Sequence, residues 1–117
     1  MREDGEMVHL LREPATKQQI EGMLEVYGTY LKVAVDVERG TLAGGGKLHA
    51  DCEAVLLDDG STQADVWGAD WVPESREVRF ESLINMRPRQ ENRSVEILVP
   101  EIRAQVEEVV RRVFETR

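Results

Sequence analysis

The densest run of residues able to carry chemistry is Lys47-Leu48-His49-Ala50-Asp51-Cys52-Glu53, directly after three glycines, Gly44, Gly45 and Gly46. An imidazole beside carboxylates suits a divalent transition metal. On a strand His49, Asp51 and Glu53 would line one face; on a helix only His49 and Glu53 would. The other histidine, His9, is far off in sequence and no His-Glu-x-x-His spacing occurs, so neither a metal nor a cofactor is expected. A glycine run ahead of a helix can offer N–H groups to an anion. Here no Ser or Thr follows Lys47 and the spacing is too short for a phosphate loop. The glycines therefore read as a sharp turn, or as room beneath a ring such as Trp67 or Trp71. Cys52 lies between Asp51 and Glu53, which disfavour a thiolate, and it takes an apolar position whether the segment is helix or strand. A buried structural thiol is the expectation.

Four more polar residues, Asp36, Asp70, Glu81 and Asn85, sit on or beside strand patterns, on the parity opposite to the aliphatic residues. Two of them converging would permit acid–base chemistry; a solvated sheet face is the plainer reading. Arg87, Arg89 and Arg93 crowd one loop with only Glu91 against them. Arginine suits a bidentate grip on carboxylate or phosphate, so the loop is either solvated and paired with acids elsewhere or a small anion site. Trp67 and Trp71 read as core anchors.

The elements that must position these residues follow from periodicity. Met7 to Arg12 reads as an edge strand. Thr16, with Gln19 three residues on, is a capping box for a helix whose face is Ile20, Met23, Leu24 and Tyr27, ending near Gly28. Leu31, Val33, Val35 and Val37 alternate as a strand, and a turn at 38–41 leads to a return strand at Leu42 and Ala43. Residues 47–59 fit helix or strand, with composition favouring helix. Strands are expected at 66–72, 76–86 and 94–99. Pro100 suits the first turn of a closing helix with the stripe Ile102, Val106, Val109, Val110, Val113 and Phe114. The sum is one α+β domain over residues 1–117, with 1–5 frayed. It has a mainly antiparallel sheet of about five strands and two or three helices packed on one face.

Composition narrows the function classes. A chain of 117 residues carries a formal net charge of −8, which disfavours binding to phosphate backbones, so no nucleic acid is expected. No apolar run is long enough to span a membrane, and the opening MREDGEM lacks the apolar stretch of a signal peptide. One cysteine suits a reducing compartment, and a cytoplasmic location is expected. The acid is unevenly placed: residues 1–75 hold fifteen acids against six bases, and residues 76–117 hold eight against nine.

The strings AGGGKLHADCE (43–53), WGADW (67–71) and FESLINMRP (80–88), with NRSVEI (92–97) and the closing helix, resemble a family of short prokaryotic single-domain proteins catalogued as a domain of unknown function. The resemblance implies a standalone cytosolic domain and assigns no reaction. It singles out His49, Asp51, Glu53, Trp67, Gly68, Asp70, Asn85, Arg87, Asn92 and Arg93 as motif positions. Two functions are expected. The first is a non-enzymatic binding or assembly module forming a homodimer. The alternative is a small enzyme or ligand-binding protein for an anionic or phosphorylated molecule, its site formed by His49, Asp51, Glu53, Asp70, Asn85, Arg87, Asn92 and Arg93. Buried hydrogen-bond networks would account for the same polar residues equally well.

Overall fold

Alternating aliphatic residues at 31–36 make the central strand of the computed structural model, which describes residues 8–115. The frayed start expected at residues 1–5 lies outside the described residues. Five strands, β1 (His9–Leu11), β2 (Leu31–Asp36), β3 (Thr41–Gly44), β4 (Val66–Val72) and β5 (Glu77–Arg79), form one antiparallel sheet in the order β1-β3-β2-β4-β5. Three helices accompany it: α1 (Lys17–Met23), α2 (His49–Asp58) and α3 (Pro100–Phe114). This is the α+β architecture expected, and the ambiguous segment at 47–59 is a helix.

The helices do not share one face, which corrects that part of the expectation. Leu31, Val33, Val35, Leu42, Trp67 and Trp71 pack with the α3 stripe of Val106, Val109, Val110, Val113 and Phe114. On the opposite parity Ala34, Ala43 and Val66 pack against Cys52 and Leu56 of α2. Small residues at 34 and 43 let α2 lie close on this second face, and Gly68 beside them leaves room for Ser82 and Ile84. Strand residues that looked like a polar, solvated side are therefore the floor beneath a helix.

The capping box forms as its residues dictate: Thr16 Oγ1 accepts from Gln19 N–H at 3.1 Å and Gln19 Oε1 accepts from Thr16 N–H at 2.8 Å. The α-helix ends at Met23 rather than at Tyr27, and Tyr27 instead stacks on Tyr30 with ring centroids 4.8 Å apart. Asp36 is fully buried and organises the β2–β3 turn. Its Oδ1 accepts from the N–H groups of Glu38 and Arg39 at 2.9 Å, and its Oδ2 accepts from Ser61 Oγ at 2.6 Å. Those bonds account for its burial without catalysis.

The strand expected at 76–86 stops at Arg79, and 94–99 forms only an isolated bridge. Ile97 N–H donates to Phe80 O and Ser82 N–H to Val95 O. Beyond this the chain turns through short 3₁₀ segments at Leu83–Asn85 and Pro88–Gln90. Periodicity missed the turn because its cause is one side chain, that of Asn85.

Candidate functional site

Strand β4 pairs with β2 along its length but with β5 only from Asp70 to Val72. The backbone of its first half would otherwise be an open edge, and side chains close it. Asn85 Oδ1 accepts from Gly68 N–H at 2.7 Å, while its Nδ2 donates to Gly68 O at 3.0 Å, to Val95 O at 3.1 Å and to Phe80 O at 3.3 Å. An amide side chain thus takes the place of a strand's peptide group. Arg87 continues the same edge, donating to Val66 O at 2.6 Å, to Ile84 O and Gln63 O at 2.9 Å and to Gln90 Oε1 at 3.1 Å. Its guanidinium lies 4.9 Å from the Trp67 ring centroid and 3.5 Å from Glu53. Burial pushes the Arg87 pKa down, and Glu53 opposes that shift. Asn92 holds the loop itself: its Nδ2 donates to Asn85 O, Ser94 O and Glu96 O, and its Oδ1 accepts from Leu98 N–H.

Asn85, Arg87 and Asn92 are therefore brought together, but as a hydrogen-bonded wall whose groups face the protein; Glu53 joins it through the ion pair with Arg87, its buried Oε2 making no hydrogen bond among the described residues. Asp51 goes elsewhere, its Oδ2 accepting from Leu48 N–H at the start of α2. Arg93 is exposed and makes no side-chain hydrogen bond or ion pair among the described residues. His49, Asp51 and Glu53 thus point to three different partners, and among the described residues no three His, Cys, Asp or Glu side chains gather as a metal site.

The glycine run is structural as well. Gly45 has φ +97° and its N–H donates to Lys32 O at 2.9 Å. A Cβ on Gly46 would stand 3.2 Å from Cys52 Sγ and from Asp51 Cβ. Gly46 thereby lets α2 begin directly against the sheet. Cys52 is buried beneath it, and burial pushes its thiol up to about 12. The sign follows from the unfolded chain, whose thiol titrates near its ordinary 9.0. Between about pH 9 and about pH 12 the native state retains a proton that the unfolded state has lost, so stability falls as pH rises. We expect wild type to lose up to about 1.4 kcal/mol per pH unit more than Cys52→Ala in that window. Urea titrations of both chains at pH 8 and pH 10.5 check it; parallel losses would contradict it.

The remaining motif pair, His49 and Asp70, faces open space. His49 Nε2 lies 2.9 Å from Asp70 Oδ1 and 3.0 Å from Ala69 O. A carbonyl oxygen only accepts, so Nε2 carries a hydrogen. The two side chains are 10% and 14% exposed. They line a cleft of about 410 Å³ with Tyr30, Lys32, Glu81, Leu83 and Ile84, beside Leu48 and Ala50 of the α2 start, Ser82 and Val95. Lys32 and Glu81 complete the site; Lys32 was not singled out by its sequence context, although cross-strand pairing with Asp70 places it there.

The family model of proteins of unknown function designated DUF5674 matches residues 9–113. No curated protein and no solved structure matches the chain. Among the described residues no helix is long and apolar enough to cross a membrane. The chain belongs to the DUF5674 family.

Proposed function

We propose that this DUF5674 domain is a non-enzymatic binding module whose site is the cleft between the start of α2 and residues 81–84. One observation carries the reading: Leu48 and Leu83 stand 57% and 81% exposed on the lining of the cleft that holds the His49–Asp70 pair. A single exposed leucine needs no explanation. Two on one concave surface, with Tyr30, Ile84 and Val95 behind them and a few convergent polar groups, match the make-up of a small-molecule site. Its volume also falls within the range of roughly 300–1,000 Å³ that such sites occupy.

The anionic ligand expected from the arginine loop finds less support. Arg87 spends its donors on backbone carbonyls and Gln90, and neither Arg87 nor Arg93 lines the cleft. Enzymatic use of the pair is disfavoured too. Ser82 Oγ accepts from Ile84 N–H and makes no hydrogen bond to His49 among the described residues, so the nucleophile contact of a triad is lacking. The homodimer expected through an open sheet has little to work with, since both faces are covered and both edge strands are three residues long.

Leu83→Asp tests the proposal. Because Leu83 is exposed, the substitution should leave the melting temperature nearly unchanged. Fragments detected by saturation-transfer NMR on wild type should bind at least about tenfold more weakly, as burial of a side chain against leucine is worth roughly 1.5–3 kcal/mol. Unchanged fragment binding would contradict the site. A change in solution mass on the same substitution would assign the cleft to a second copy instead.

A further inference from the structure

We infer that the cleft selects an aliphatic primary ammonium group, such as that of a small alkylamine; this rests on the cleft being the binding site. Beside Lys32 and the Tyr30 and Ser82 hydroxyls, the polar side chains on its lining are His49, Asp70 and Glu81, which offer acceptors. His49 commits its Nε2–H to Ala69 O and Asp70 Oδ1, and its Nδ1 makes no hydrogen bond among the described residues, on a side chain that is nine-tenths buried. Asp70 uses Oδ1 for that contact and its Oδ2 makes no hydrogen bond among the described residues. Glu81 is exposed, lines the same cleft and forms no ion pair among the described residues. Two carboxylates thus stand against one lysine, and the Lys32 ammonium lies over the Tyr27 ring at 5.3 Å from its centroid.

An ammonium has three donors and no acceptor, which complements this set. An alkyl chain attached to it has Leu48, Leu83, Ile84 and Val95 to lie against. The surrounding field has the same sign, because the chain carries a formal net charge of −8 and most of the excess acid precedes residue 76. Gly44–Gly46, the Arg87–Arg93 loop and Cys52 offer no comparable arrangement, since their polar groups are internally bonded, exposed or sealed.

The test compares three probes of one length: n-butylamine, n-butanol and butyrate, each titrated into the full chain and followed by amide chemical shifts at His49, Asp70 and Leu83. The amine should bind at least about fivefold more tightly than either other probe at neutral pH. Asp70→Asn should abolish most of that preference, and Glu81→Gln, a change at an exposed position that does not threaten folding, should reduce it about twofold. Equal binding of butanol, or a preference for butyrate, would overturn the inference while leaving the cleft as the site. Shifts with none of the three probes would overturn both. An amine preference unaltered by both substitutions would also overturn the assignment to these acceptors.

Discussion

Gly68→Ala is expected to lower stability by roughly 3 kcal/mol or more, enough to leave a domain of this size partly unfolded. A Cβ at position 68 would stand 2.7 Å from Ser82 Cβ, 2.8 Å from Ser82 Oγ and 3.1 Å from Ile84 Cγ1. These are side-chain stems next to backbone, not flexible tips, so the 82–85 segment must move away. Moving it pulls Asn85 off both polar groups of Gly68, which adds lost hydrogen bonds to the steric cost. The double variant Gly68→Ala/Ser82→Gly removes the two closest atoms and should recover part of the loss. Recovery is incomplete because Ser82 Oγ also accepts from Ile84 N–H at 3.2 Å. Urea denaturation of the three chains reads the result; a single variant within about 0.5 kcal/mol of wild type would contradict the tight approach.

Replacing Asn85 should cost as much, by a different route. Its side chain is fully buried and carries four hydrogen bonds to backbone groups. Asn85→Ala leaves Gly68 N–H and the Gly68, Phe80 and Val95 carbonyls to find other partners. At about 1–3 kcal/mol for each buried group left unsatisfied, a loss of roughly 3–5 kcal/mol is expected. Asn85→Asp, nearly isosteric, should be no better, since a carboxylate oxygen would face three carbonyl oxygens. Hydrogen exchange at the Gly68 amide should accelerate strongly in the alanine variant. An aspartate variant as stable as wild type would show that the amide's donors do not matter.

Those two positions explain how much the sequence disclosed. The strands at 31–36 and 66–72 and the helix at 100–114 were legible because their burial follows simple periods, with Val33 and Val35 or Val106 and Val110 spaced as one face requires. The second covered face was not legible. Ala34 and Ala43 look neutral in a pattern of polarity, yet their small size is what admits α2, as the missing side chain of Gly68 admits the 82–85 segment. The turn after Arg79 was hidden for a similar reason, because Asn85 acts on residues distant in sequence. In the candidate site, His49 and Asp70 were named from type alone, and their meeting across α2 and β4 depends on the register of the fold. Asn85, Arg87 and Asn92 were named for the same polarity and serve the edge of β4 instead.

On the proposed function the motif residues divide: those at 85–92 build a wall, and His49 with Asp70 would meet the ligand. Amide chemical-shift mapping on the ¹⁵N-labelled full chain, titrated with the fragments that bind it, distinguishes the two groups. Shifts are expected to cluster at Leu48, His49, Asp70, Leu83 and Ile84, with residues 87–93 unmoved. Shifts centred on Arg87–Arg93, with the cleft unaffected, would contradict it.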